Sequence, residues 1–183
     1  MQIQSKQSGF TLVELVIVIA LLIILASFAL PSYQKMTQDS LIRTAAESIQ
    51  NGLQIARGEA VKRNANVQLD LRGTDSAWTV CVSPAGGGAC PNPDDATTIQ
   101  SRAVGDGSST NVDITVSDAG PYVFSGLGVM NSPAPTAVSG IISIDVKNGS
   151  SAGSRDLRVA ISVGGSSKSC DPALAASDPR SCP

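Results

Sequence analysis

The sequence predicts an α+β chain, with one long N-terminal helix packed on a C-terminal antiparallel β domain. Three observations predict it. Phe10–Leu30 is an apolar run whose only charge is Glu14. Leu41, Ala45, Ile49, Leu53, Ala56 and Ala60 then recur at intervals of three or four, the spacing of one helix face. From Asn66 onward the apolar period falls to two, the spacing of strands that bury one side.

The chain opens on a short polar leader, Met1–Gly9, and the polar-to-apolar border at Gly9/Phe10 is sharp. The 21 residues Phe10–Leu30 make about 32 Å of helix, enough to cross a hydrocarbon core of about 30 Å. A cleaved secretory signal has a shorter apolar stretch and a small-residue cleavage site behind it. Ser27-Phe28-Ala29-Leu30-Pro31 has no clean small-x-small pattern. Lysine and arginine counts leave the orientation open, because Lys6 is opposed by Lys35 and Arg43.

Glu14 is the anomaly of this segment. A carboxylate at the bilayer centre costs several kcal/mol, less near the headgroups, and in a first helical turn the dipole favours negative charge. One reading is an interfacial acid reaching water. The other is half of an ion pair within an assembly of like helices. Cutting after Gly9 would bare an ammonium on Phe10, and a neighbour's ammonium would neutralise Glu14 at low dielectric.

Pro31 is expected to kink the helix rather than end it, since helical patterning resumes at once. Lys35, Arg43, Glu47, Lys62 and Arg63 read as solvent-facing charges, with Arg57 and Glu59 near the apolar stripe. Gly52 and Gly58 weaken a helix but permit a sheet to approach closely. A helix from Phe10 to about Asn64 is on the order of 80 Å long, so its first half is expected to project into membrane or filament.

Five alternating runs follow. They are Val67/Leu69/Leu71, Trp78/Val80/Val82, Val112/Ile114/Val116, Ile142/Ile144/Val146 and Leu157/Val159/Ile161/Val163. Broken by Gly, Pro, Ser and Asn, they read as antiparallel strands, each burying one face under the helix Leu41–Ala60. Lys147-Asn148-Gly149-Ser150 marks a turn, which also explains its glycan-acceptor pattern.

The four cysteines, Cys81, Cys90, Cys170 and Cys182, lack metal-binding or redox CxxC spacing. Three disulfide connectivities are open. Cys81–Cys90 and Cys170–Cys182 are favoured because each pair brackets turn-forming residues, and disulfides place the domain outside the cytoplasm. With no histidine, the Ser-His-Asp and Cys-His nucleophile systems and His-bearing metal sites are excluded. Asp94-Asp95 lacks the calcium-loop pattern and reads as a solvated loop, as do Asp106 and Asp113. Gly86-Gly87-Gly88 opens no helix, so a phosphate cradle is disfavoured, and Trp78 reads as core. No enzyme, cofactor or metal is expected.

The run SGFTLVELVIVIALLIILASFALP resembles the class III leader and N-terminal helix of type IV pilins and type II secretion pseudopilins. The matching features are Gly9, Phe10, Glu14 and Pro31. The resemblance implies cleavage between Gly9 and Phe10 by prepilin peptidase, N-methylation of Phe10, and packing of Phe10–Leu30 in a filament core. ARGEAVKRNANVQLDL (Ala56 to Leu71) resembles the H-type pseudopilin and FimT/FimU-like minor pilin family; FSGLG and SRDLRVAISVGGSSKSC match it more loosely. That implies a type IV pilin fold, with the helix on two antiparallel sheets.

The expected organisation is leader 1–9, transmembrane or filament-core helix 10–30, amphipathic continuation 31–65 and β domain 66–183. The expected function is a minor pilin that joins other minor pilins and the major pilin, primes assembly at or near the tip, and sits single-pass in an inner membrane before entering the pilus. The alternatives are an H-type minor pseudopilin of type II secretion and a DNA-binding pilin of natural transformation. The C-terminal region supplies only Lys168 and Arg180, with Arg155 and Arg158 just before it, which argues against DNA binding.

Overall fold

The computed structural model describes residues 9–73, 75–103, 105–106, 112–117, 120–132, 141–148 and 155–182. The chain divides into two units, Met1–Thr37 and Gln38–Pro183, and one helix, α1 (Leu12–Arg63), contributes to both.

In the first unit, every helical residue from Leu12 to Thr37 is exposed. Pro31 lies inside the helix and has no N–H to offer the Ser27 carbonyl. Ser27 turns its hydroxyl back on the Ile23 carbonyl at 2.8 Å, and Thr37 does the same to Tyr33 at 3.0 Å.

In the second unit the helix buries the stripe Ala45, Ile49, Leu53, Ala56 and Ala60, widened by Ile42, Ala46, Ser48 and Gly52; Leu41 is only partly buried. Mostly small residues on this face let the backbone approach the sheets. The helix ends where Asn64 takes a left-handed conformation (φ 48°). Asn64 N–H bonds the Val61 carbonyl at 3.3 Å and Ala65 N–H the Ala60 carbonyl at 3.2 Å, a Schellman closure that satisfies two terminal carbonyls.

Nine strands follow: β1 (Val67–Leu71), β2 (Trp78–Val82), β3 (Thr98–Arg102), β4 (Val112–Val116), β5 (Tyr122–Phe124), β6 (Met130–Ser132), β7 (Ile141–Asn148), β8 (Leu157–Ser162) and β9 (Ser167–Cys170). They form two antiparallel sheets, of order β3-β2-β1-β5-β6 and β4-β7-β8-β9. One apolar cluster joins the helix stripe to both sheets, through Leu69, Trp78, Val80, Tyr122 and Phe124 on one and Ile114, Ile144, Val146, Val159 and Ile161 on the other. Each large apolar side chain so buried contributes roughly 1.5–3 kcal/mol.

The five alternating runs are all strands, and four further short strands, β3, β5, β6 and β9, complete the sheets. Two details differ from expectation. β1 buries both faces, because the loop closed by Cys81–Cys90 covers the side away from the helix. Lys147 and Asn148 belong to β7, and the rest of the expected turn lies outside the described residues.

Candidate functional site

Gly9, Phe10 and Thr11 precede the helix and are exposed, Phe10 to 83 %. Thr11 is the N-cap. Its carbonyl accepts the Leu15 N–H at 3.1 Å and its Oγ1 accepts the Glu14 N–H at 3.2 Å. Thr11-Leu12-Val13-Glu14 has the sequence form of a capping box, T-x-x-E, of which the Thr11 half is formed. Among the described residues the Glu14 carboxylate has no hydrogen-bond or ionic partner. It stands exposed in the first turn, where four backbone N–H groups give the helix its positive end. Just behind it, Leu12, Val13 and Leu15 to Leu25 present exposed apolar side chains to the surroundings. The helix is long and apolar enough to cross a membrane.

The remaining predicted positions lie in the second unit, apart from Pro31. Cys81 and Cys90 are bonded with Cα atoms 5.8 Å apart, and Cys170 and Cys182 with Cα atoms 5.0 Å apart. The outward face of β1, Gln68 and Asp70, and Arg72 just after the strand hold the first loop. Gln68 Nε2 donates to the Gly88 carbonyl at 2.8 Å, Asp70 accepts the Cys90 N–H, and Arg72 donates to the Cys90 and Pro91 carbonyls. The second loop is held by Asp171, whose N–H bonds the Arg180 carbonyl at 2.9 Å and whose carboxylate pairs with Arg155. Burial pushes the Asp171 carboxyl up, but the Arg155 guanidinium and the Ala173 N–H outweigh it and hold the group below its ordinary value.

Asp94, Asp95, Asp106 and Asp113 are exposed. Among the described residues, no three His, Cys, Asp or Glu side chains gather as a metal site. Trp78 is buried and donates to Ser48. A cleft of about 510 Å³ opens between Leu71, Arg72, Ile114, Val116, Pro121 and Tyr122; its carboxylate, Asp70, is already occupied by the Cys90 N–H and Gln68.

Comparison with known proteins places this architecture. The family model described as "Type II transport protein GspH" matches residues 45–165, the later part of the amphipathic helix and most of the β domain. The chain belongs to the GspH family. A second model, the prokaryotic N-terminal methylation motif, matches residues 4–30 of this GspH-family protein and contains Gly9, Phe10 and Glu14. Its fold is that of the type IV minor pilin FimU of Pseudomonas aeruginosa. Two crystal forms of FimU superpose with TM-scores of 0.53 and 0.56 at 18 % and 17 % identity, covering 74 % and 75 % of this chain and 98 % and 93 % of FimU.

Among curated sequences, the type IV major fimbrial protein FimA of Dichelobacter nodosus is 40 % identical over 65 residues, 36 % of either chain. A fimbrial protein of Pseudomonas aeruginosa is 40 % identical over 83 residues, 39 % of this chain and 52 % of that protein. The GspH-family chain thus spans about a third to a half of the length of the curated relatives it matches. Its apolar N-terminal helix and methylation motif mark it as membrane-anchored, with a globular domain following.

Proposed function

We propose that this GspH-family protein is a non-enzymatic minor pilin of a type IV pilus. Prepilin peptidase removes residues 1–9 and Phe10 is N-methylated; the mature chain waits in the inner membrane. It then joins other minor pilins and the major pilin in a complex that primes assembly at or near the tip. The observation that carries this reading is the Glu14 carboxylate, exposed and unpartnered among the described residues, at the head of an exposed apolar helix. In lipid the apolar side chains give no net drive to associate, so packing and a neutralised charge pair must select neighbours. The ammonium of an adjacent subunit's Phe10 is the cation that processing creates beside this acid.

The family description favours a second reading, a minor pseudopilin of type II secretion with the same chemistry in a different machine. Cross-linking in intact membranes, then identification of the linked proteins, decides between them: pilus subunits support the first reading, secretion pseudopilins the second. Binding of DNA during uptake is disfavoured. Among the described residues of the C-terminal region, Arg155, Arg158 and Arg180 are paired with Asp171, Asp145 and Asp178, which leaves Lys168 as the cation there without an acidic partner for phosphate to compete with.

A further inference from the structure

We propose that Thr11 is a positioning residue for processing: by capping α1 it keeps the Gly9–Phe10 peptide bond outside the helix, available to a peptidase as extended chain. The inference rests on the reading that this bond is the one cut.

Two hydrogen bonds fix the helix start. The Thr11 carbonyl takes the Leu15 N–H and its hydroxyl takes the Glu14 N–H, so helical geometry begins at Leu12. Gly9 and Phe10 remain non-helical and exposed. Hydrolysis adds water across their bond, leaving a carboxylate on Gly9 and an ammonium on Phe10. For that, the Gly9 carbonyl must be open to attack and its backbone free to lie along a peptidase cleft. Inside a helix the same carbonyl would accept the N–H four residues on, that of Val13.

The sequence contains a competing start. Ser8, another favourable N-cap type, stands three residues before Thr11. A helix capped there would take Gly9 and Phe10 as its first two residues and enclose the scissile bond. Apolar surroundings reinforce the competition, because backbone groups that lack water favour the longer helix. Gly9, with its poor helix propensity, opposes extension but forms no hydrogen bond to stop it. The Thr11 hydroxyl supplies that stop, and a cap of this type shifts such an equilibrium by about fivefold.

The test follows leader removal over time by mass spectrometry, using the full chain in membranes with its prepilin peptidase. Thr11→Val keeps the shape and removes the acceptor; removal slows measurably, by up to about fivefold, at unchanged membrane insertion. Thr11→Ser restores the rate. Ser8→Ala combined with Thr11→Val recovers much of it, because the competing cap is gone. Removal from Thr11→Val at the wild-type rate overturns the proposal. So does a Thr11→Ser chain as slow as Thr11→Val, or a double variant no faster than Thr11→Val, which would mean direct recognition of Thr11 by the peptidase. A wild-type chain left uncut at Gly9–Phe10 instead removes the processing reading, and this inference falls with it.

Discussion

The indole Nε1 of Trp78 donates to the Ser48 hydroxyl at 2.9 Å, linking the first strand after the β1 turn to the helix inside the core. Both residues are buried, and Gly52, one turn on, lies against the same ring. A β-carbon at Gly52 would come within 2.7 Å of Leu69 Cδ1 and 3.0 Å of the Trp78 ring. Ser48→Ala leaves a buried N–H unsatisfied and is expected to cost about 1–3 kcal/mol. Gly52→Ala gains helix propensity but overpacks the interface, with a net loss of about 1–3 kcal/mol. Thermal unfolding in detergent, followed by the fluorescence of this single tryptophan, checks both. An unchanged Tm for Gly52→Ala would mean that the sheet yields at no cost. Gly58 is the contrast, since a β-carbon there meets nothing within 4 Å and Gly58→Ala is expected to stabilise.

That contrast shows what the sequence made legible. The helix and the strands β1, β2, β4, β7 and β8 declare themselves through periodicity, since each must bury one side. β3 and β9, Thr98–Arg102 and Ser167–Cys170, lie at sheet edges and are largely polar, so no apolar alternation marks them. β5 and β6 are three residues each, too short for a period. The buried outer face of β1 was illegible for another reason. Gln68 and Asp70 are polar residues alternating with the apolar ones of β1, and the loop they hold begins more than ten residues downstream. At the candidate site, Glu14 stood out as a charge in an apolar run, whereas Thr11 drew no notice because its role is a backbone hydrogen bond.

Glu14→Leu is expected to leave insertion and leader removal intact and to lower incorporation into filaments at least tenfold. The substitution removes the charge but keeps an apolar surface that lipid accepts. Comparing the amount in sheared filaments with the amount in membranes measures the effect, and equal ratios for the variant and the wild type would remove the pairing argument.

Acid should loosen the C-terminal loop before the β domain itself unfolds. The side chain of Arg180, then its backbone N–H, holds the Asp178 carboxyl down to about 2. A carboxyl depressed on folding contributes stability above its unfolded pKa of about 3.9, and loses it as pH falls through the folded value. The window is therefore pH 4 down to 2, and Asp171, also depressed, adds in the same direction. Protection factors at residues 171–181, taken relative to the intrinsic exchange rate at each pH, should fall over that range. Asp178→Asn should already show part of the fall at neutral pH and a weaker acid dependence.

The first loop should stay in place when its covalent closure is lost. Reductant under denaturing conditions should add four hydrogens by mass, two for each bridge. The Cys81–Cys90 bond stabilises the fold mainly by restricting the unfolded chain, and removing it by Cys81→Ser with Cys90→Ser is expected to cost about 2–4 kcal/mol. The loop itself is held onto β1 by other means: the Gln68 amide on Gly88, the Asp70 carboxylate on the Cys90 N–H, and Arg72 on two carbonyls. The double serine variant should therefore keep residues 83–91 protected from protease. Asp70→Ala in the oxidised protein should also keep the loop closed, through the disulfide. Combining them should expose it, with a loss of protection greater than the two effects added, because both constraints act on one segment. Limited proteolysis with fragment masses reads this directly. Rapid cleavage of the serine variant alone would show that the disulfide, and not the β1 face, holds the loop in place.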